Sequence, residues 1–258
     1  METNPRVWIA AWRSGHDRLA AFVAGASADD LNHPSMCTEW NVAQVLSHLG
    51  SGAEIGLANV TGAAVDNNDI WARWNAMAPA EMAASFVTSD ERFLASYESR
   101  SDTELASMQV HMPFLPEPIG AAEAVGWRLS EVTLHGWDVF AAFDADAPLA
   151  PDAAALLIDR LPMMVGLVGR FLPRETRPVT DTTISVSTID PERQYELELG
   201  ENADLRGAAE RATSGQLTLP AEAFLRLTAG RLGQGREAGA RASGALSLDD
   251  LRRAFPGY

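Results

Sequence analysis

The chain has 258 residues, of which 47% are hydrophobic and 21% charged. This composition excludes disordered, fibrous and membrane classes, and the length fits one large domain or two modest ones. The formal net charge is −15, from 35 acidic and 20 basic residues. Because no basic run interrupts this negative field, we expect neither nucleic acid nor an anionic membrane surface as a partner.

The residue types that are absent narrow the chemistry further. The sequence contains no lysine, which excludes Schiff-base catalysis and a lysine-dependent phosphate loop. Its single cysteine, Cys37, excludes an intramolecular disulfide and any multi-cysteine metal site. The first residues lack the apolar core of a secretory signal, and charges interrupt the apolar stretch 156–172. We therefore expect a cytoplasmic protein, as a monomer or a homodimer.

The first two thirds of the chain have a helical pattern. Asn41 and Gln44 form a capping-box pattern before one of the predicted helices. Apolar periodicity, capping residues and first-turn prolines predict helices over 5–25, 42–61, 79–100, 119–143 and 152–171. The segments 28–39, 66–69 and 113–118 are predicted as loops or interruptions.

The remainder of the chain changes to the alternating pattern of β-strands. Strands are predicted over 182–189 and 194–199, and the Asp190-Pro191 turn between them predicts an antiparallel hairpin. Two further strands, 216–219 and 238–242, and two helices, 220–229 and 247–255, complete the prediction. We therefore expect a helical domain over 1–175 and a small α+β domain over 176–258.

The predicted helix 119–143 carries a pair of residues with metal-ligand spacing. Glu131 and His135 are four residues apart, so their side chains project from the same side of the helix and can converge on one divalent cation. Arg128 and Asp138 extend this polar stripe by three residues at either end. A buried network of ion pairs and hydrogen bonds among the four accounts for the stripe equally well, so spacing alone leaves both interpretations open.

His48 is the candidate third ligand. It lies among apolar residues of the predicted helix 42–61, where the simplest interpretation is a core histidine bonded to a carbonyl group. A His–Glu–His set would instead leave a tetrahedral zinc ion with one open position, which is typical of catalytic sites. The same donors also suit Fe(II) or Ni(II).

The other histidines and the cysteine are predicted to have no catalytic role. His33 and His111 lie close to prolines in predicted loops and are expected at the surface. His16 is expected on a solvated face of the first helix. Cys37 precedes a helix N-terminus, but no histidine partner is evident near it in the sequence, so an inert thiol is favoured over a nucleophile.

Several segments resemble one known family. WNVAQVLSHL at 40–49 is similar to the second-helix motif of the DinB-like bundle in mycothiol-dependent maleylpyruvate isomerases and related actinobacterial proteins. RLSEVTLHGWDVFAAF at 128–143 resembles the arginine, Glu-x-x-x-His and Trp-Asp signature of the same family. PAEAFLRLTAGR at 220–231 and SGALSLDDLRRAF at 243–255 resemble, more loosely, its small sterol-carrier-like domain.

The resemblance implies a fold and a ligand set. The fold is an up-down four-helix bundle of the DinB-like type with an extra helix, followed by the small α+β sterol-carrier-like domain. His48, Glu131 and His135 would bind a divalent, zinc-like ion. Asp138 and Arg128 would not bind the ion themselves but would orient the residues that do.

The resemblance also implies a chemistry. Mycothiol would be the thiol cosubstrate, activated as a thiolate by the metal, and would attack a small electrophile. Collapse of the adduct after bond rotation gives cis–trans isomerisation, whereas its release gives S-transfer. Arg231 would bind a substrate carboxylate across the domain cleft. The alternative is a non-catalytic protein that binds a small apolar ligand and has a structural or vestigial metal site.

Overall fold

The computed structural model describes residues 3–112, 115–171, 182–200, 202–208 and 212–257. They form two compact units, which divide between Ala147 and Pro148. None of the helices in these ranges combines the length and the apolar character that crossing a membrane requires.

The N-terminal unit is a helical bundle. Four long helices form a closed ring in which α1 contacts α5 and α7, and α3 contacts the same two helices. Shorter helices and a two-stranded antiparallel pair, β1 with β2, occupy the connections. The elements of this unit are α1 (Pro5–Gly25), α2 (Ala28–Asn32), α3 (Val42–Thr61), α4 (Asn67–Asn75), α5 (Pro79–Glu98), α6 (Asp102–Ser107), β1 (Gln109–Val110), β2 (Ile119–Gly120) and α7 (Ala121–Phe140).

Local capping fixes where the helix that carries His48 begins. The Asn41 side chain accepts a hydrogen bond from the backbone N–H of Gln44, and the Gln44 side chain accepts one from the backbone N–H of Asn41, each 2.9 Å long. This reciprocal pair satisfies two backbone donors that the first turn cannot otherwise use. The predicted start of α3 at Val42 is therefore confirmed.

The bundle core is built from large side chains on all four long helices. They are apolar and at most 3% exposed, and their burial supplies the main driving force for packing the helices together. The core includes Trp8, Trp12, Leu19, Val45, Leu46, Leu49, Phe86, Leu94, Tyr97, Val125, Leu129, Val132 and Val139.

The C-terminal unit is an α+β structure. Its five-stranded sheet has the order β5-β4-β3-β6-β7, in which β3 is antiparallel to β4 and parallel to β6. The predicted hairpin is confirmed, with Ile184 opposite Leu197 and Val186 opposite Tyr195. The elements are α8 (Pro151–Leu157), a 3-10 turn (Ile158–Arg160), α9 (Leu161–Phe171), β3 (Thr182–Ile189), β4 (Arg193–Leu199), β5 (Ala203–Gly207), β6 (Gly215–Pro220), α10 (Ala221–Thr228), β7 (Arg241–Gly244) and α11 (Leu248–Ala254).

The division between the units comes earlier than the expected boundary after residue 175. The predicted helix 152–171 is present as α8, the 3-10 turn and α9, but it contacts α10 and β5 of the C-terminal unit. Side-chain bonds tie it to the sheet, because the Tyr195 hydroxyl donates to the carbonyl of Ile158 at 3.0 Å and Arg193 pairs with Asp159 at 2.7 Å. The fold class, a helical bundle followed by an α+β unit, is as predicted.

Candidate metal centre

Two helices of the bundle bring three potential metal ligands together. The Nε2 atom of His48, on α3, lies 3.1 Å from Oε2 of Glu131, on α7. The Nε2 atom of His135, one turn further along α7, lies 3.7 Å from the same oxygen. One ligand atom from each of the three residues lies within 4.8 Å of the other two. The sequence-based pair and the proposed third residue therefore form one cluster.

These distances suit a single tetrahedral ion. Ligand atoms about 2.0–2.2 Å from a zinc ion at tetrahedral angles are about 3.3–3.6 Å apart, which is close to the observed 3.1 and 3.7 Å. The side chains of His48 and Glu131 are 39% and 43% exposed, whereas that of His135 is 10% exposed. The cluster therefore combines one buried ligand with two that are partly exposed to solvent.

Asp138 orients His135. The two residues are three apart on α7, and Nδ1 of His135 lies 2.9 Å from Oδ2 of the fully buried Asp138. A carboxylate at this distance favours the tautomer with the proton on Nδ1, which leaves the lone pair on Nε2, the atom that faces Glu131. Metal-binding histidines commonly have such a carboxylate on their second nitrogen.

Trp40 packs against both histidines. Its ring centroid lies 5.2 Å from that of His48 and 6.3 Å from that of His135, and the two histidine rings are 4.7 Å apart in an edge-to-face arrangement. Trp40 immediately precedes Asn41, the N-cap residue of α3, so the same cap that starts the helix also places this indole. The indole restricts the rotamers of both imidazoles.

The electrostatics of the cluster favour an ionised Glu131. Partial desolvation acts to raise the pKa of this carboxyl group. The hydrogen bond with His48 and the nearby His135 and Arg128 outweigh desolvation and lower the pKa from its usual range to about 2. Glu131 is therefore an anionic donor throughout the physiological pH range.

Arg128 links the two helices that carry the ligands. Its guanidinium donates two hydrogen bonds to Oδ1 of Asp90 on α5, 2.6 and 3.1 Å long, and one of 2.9 Å to the carbonyl of Leu49. Leu49 follows His48 on α3, and Arg128 precedes Glu131 by one helical turn on α7. A single side chain thus fixes the backbone beside His48 relative to the helix that carries the other two ligands.

The prediction of a solvated His16 is wrong. His16 is 3% exposed, and its Nδ1 lies 2.8 Å from Oδ2 of Asp90. The indole N–H of Trp12 also donates to both oxygens of Asp90 at 3.2 Å. Asp90 is fully buried, and its carboxylate is in hydrogen-bond contact with three side chains from other helices, those of Trp12, His16 and Arg128. Sequence reasoning missed this network because the partner of His16 lies on another helix, 74 residues away.

Cys37 also lies closer to the cluster than its sequence context indicates. Its sulfur, a nitrogen of His135 and a carboxylate oxygen of Asp138 lie within 4.8 Å of one another. The backbone N–H of the neighbouring Met36 donates to the carbonyl of Asp138 at 3.0 Å, which holds the Cys37 loop against α7. This proximity could not be predicted from the sequence, because about a hundred residues separate Cys37 from His135 and Asp138 along the chain.

The remaining candidates are not among the three clustered ligands. His33 and His111 are exposed, as predicted. Arg231 belongs to the C-terminal unit, directly after α10 and Ala229–Gly230, and its Nη1 donates to the carbonyl of Ala229 at 3.0 Å. It is 8% exposed. Its role in anion binding stays a prediction.

A four-helix bundle with a His–Glu–His cluster, joined to an α+β unit, defines a class of protein with a candidate metal centre. The sequence model of one family, described as the mycothiol maleylpyruvate isomerase N-terminal domain, matches residues 12–140, half of the chain. The match spans His48, Glu131, His135 and Asp138. The chain belongs to this family, as its motifs predict.

Two relatives and two solved structures are also similar to this chain. Two uncharacterized proteins of Mycobacterium tuberculosis, from two strains, are each 27% identical over 176 residues, covering 67% of this chain and 86% of their own. A crystal structure of a mycothiol-dependent maleylpyruvate isomerase is 16% identical, with a TM-score of 0.66 over 96% of this chain and 98% of that one. A histidine-to-alanine mutant of that enzyme gives the same TM-score at 14% identity. At these identities the solved structures establish a shared fold across both units.

Proposed function

We propose that this protein is a divalent-metal enzyme that uses a low-molecular-weight thiol, mycothiol, as cosubstrate. His48, Glu131 and His135 would hold the ion, zinc being the metal that best suits a tetrahedral His–Glu–His set. The observation that carries the proposal is the convergence of these three donors within 4.8 Å of one another. Membership of the family supports the choice of thiol.

The residues of the chain have separable parts in this proposal. When bound, an ion with three protein ligands lowers the pKa of a thiol at its remaining coordination position and so supplies a thiolate at neutral pH. Glu131 contributes a negative charge that is present at all physiological pH values. Asp138 keeps the proton of His135 on Nδ1, and Arg128 holds α3 against α7.

The substrate would be a small electrophile. The names of the solved neighbours favour cis–trans isomerisation over S-transfer, and both outcomes use the same thiolate addition. Arg231 would bind a substrate carboxylate, since a guanidinium matches that group in a bidentate manner. We place the activity in the cytoplasm, where low-molecular-weight thiols stay reduced.

Metal analysis tests the first half of the proposal. Purified protein should contain about one zinc ion per chain, as a single site of three protein ligands requires. His135→Ala and Glu131→Gln should lose the metal. The matched control is His33→Ala, which replaces an exposed histidine of the same unit and should retain it. Wild-type protein without metal, and with unchanged stability in chelator, would favour the non-catalytic alternative.

Product analysis tests the second half. Zinc-loaded protein is incubated with mycothiol and maleate, a cis-configured unsaturated dicarboxylate. Nuclear magnetic resonance then follows the trans isomer, and mass spectrometry follows the thiol conjugate. Accumulation of the trans isomer indicates an isomerase, and accumulation of the conjugate indicates an S-transferase. If neither product exceeds the uncatalysed background although zinc is bound, the thiol chemistry is refuted while the metal site stands.

A further inference from the structure

A groove of the N-terminal unit lies between α3, α4 and α5. Its volume is about 560 Å³, within the range of small-molecule sites. None of the three candidate metal ligands lines it. Its walls combine apolar side chains, hydroxyl groups, two arginines and one glutamate. The lining residues are Glu54, Leu57, Arg73, Trp74, Met77, Ala84, Ser85, Thr88, Ser89 and Arg92.

One wall of the groove is held in place by Glu54. One oxygen of this carboxylate pairs with Arg73 at 2.5 Å, and the other accepts from the indole N–H of Trp74 at 2.9 Å. Trp74 can approach α3 because residue 50 is glycine, where a Cβ atom would lie 2.2 Å from the indole ring. Both oxygens of Glu54 are therefore occupied, and the charge of Arg73 is matched by that of Glu54.

Arg92 supplies a second positive charge without an acidic partner in contact. Within the described ranges its guanidinium makes neither a hydrogen bond nor an ion pair, although its charge helps to lower the pKa of Glu54 from a distance, against the opposing effect of desolvation. The three charged residues of the lining therefore sum to one net positive charge, in a chain whose net charge is −15. A local positive charge beside apolar walls favours the binding of an organic anion.

We propose that this groove binds a small organic carboxylate, independently of the metal centre. The carboxylate would pair with the guanidinium of Arg92, whose planar fork of donors matches it in a bidentate manner. The apolar body of the ligand would pack against Leu57 and Met77. The groove would thus be a second ligand site on the helical unit.

Benzoate is the probe. In uniformly ¹⁵N-labelled full-length protein, the indole N–H signal of Trp74, assigned with Trp74→Phe, should shift and saturate as benzoate is added. Arg92→Ala should weaken binding about tenfold, as expected for loss of a charge-assisted hydrogen-bonded pair. The matched control is Arg18→Ala, an exposed arginine that stacks on Phe140 outside the groove and should leave the affinity unchanged.

Two further arms distinguish carboxylate recognition from purely apolar binding, and the groove from the metal centre. Benzamide, the neutral isostere, should bind at least about tenfold more weakly than benzoate if charge decides recognition. In His48→Ala, which dismantles the proposed metal site, benzoate should still shift the Trp74 signal. The groove and the metal-dependent function can therefore fail separately.

Four results would overturn the proposal. The first is the absence of a saturable Trp74 shift up to about 50 mM benzoate, a concentration beyond the millimolar dissociation constants of weak ligands. The second is an unchanged benzoate affinity in Arg92→Ala, and the third is a loss of affinity in Arg18→Ala as large as that in Arg92→Ala. The fourth is binding of benzamide as tight as that of benzoate. An otherwise unchanged spectrum shows that Arg92→Ala is folded. Arg92→Lys, which keeps the charge and loses the bidentate geometry, should cause a smaller loss than alanine.

Discussion

Replacing Asp90 with asparagine tests the buried network behind the candidate metal centre. Asp90 is fully buried and accepts hydrogen bonds from Trp12 and Arg128 while it faces His16 at 2.8 Å. Asparagine preserves the shape but removes the negative charge that Arg128 faces. Removing one partner of a buried pair destabilises by about 3–5 kcal/mol, and the retained oxygen of asparagine places the expected loss near the lower limit.

The pH dependence has a defined sign. Desolvation acts to raise the pKa of Asp90, but Arg128 and His16 outweigh it and hold the pKa below its usual value. The ionised carboxylate therefore stabilises the fold above about pH 3.9, the pKa expected in the unfolded chain. This stabilisation is lost as pH falls from there through the folded pKa. The difference between wild type and Asp90→Asn should thus be full at pH 7 and shrink below about pH 4.

Urea unfolding followed by circular dichroism measures this loss. With a slope of about 2 kcal/mol per molar urea, a loss of about 3 kcal/mol lowers the midpoint by about 1.5 M at pH 7. The matched control is Asp17→Asn, because Asp17 is 63% exposed and pairs with Arg13 at 3.5 Å; the expected loss there is less than about 1 kcal/mol. A loss in Asp90→Asn no larger than that of the control would refute the reasoning.

Three further predictions concern the centre and its bundle. Asp138→Asn should weaken zinc affinity by about 10- to 100-fold in a chelator competition, because the second nitrogen of His135 loses its carboxylate; unchanged affinity would show that Asp138 does not orient the ligand. Zinc affinity should also fall as the solution is acidified, because an imidazole binds a metal ion only in its neutral form, and a flat profile in the same competition would speak against histidine ligation. Gly50→Ala should lower the free energy of unfolding, measured in urea, by about 1–3 kcal/mol, since the new Cβ atom would lie 2.2 Å from the Trp74 ring. The control Gly25→Ala should be close to neutral, because no other part of the described chain lies within 4 Å of its Cβ position. Equal losses in the two variants would contradict this packing argument.

The long helices could be predicted because their signals are local. The capping box before Val42, the first-turn prolines and the apolar periodicity all lie within one segment of sequence, and α1, α3, α5 and α7 follow them within a few residues. The short helices α2, α4 and α6 were not predicted. Each has only five to nine residues, too few to show periodicity, although side-chain caps from Ser27, Asp66 and Ser101 start them.

Predictions that depend on tertiary packing were less complete. Strand β5 was not predicted, because its five residues are too short a run for the alternation of Ala203, Asp204, Leu205 and Arg206 to stand out; its pairing with β4 defines it. The affiliation of the helical segment 151–171 with the sheet likewise depends on contacts with the distant Arg193 and Tyr195.

The candidate site shows the same division between local and distant signals. Glu131 and His135 could be found from their spacing within one helix, and His48 from its position among apolar residues. Asp90 gave no signal at all, since its partners lie on α1 and α7. Neither spacing nor periodicity reports which faces of separate helices meet.

Anomalous diffraction at the zinc edge, from crystals of the zinc-loaded protein, tests the central claim most directly. We predict one peak about 2.0–2.2 Å from Nε2 of His48, Nε2 of His135 and a carboxylate oxygen of Glu131. A peak bound instead between Cys37, His135 and Asp138, or the absence of a peak from the bundle, would contradict the account.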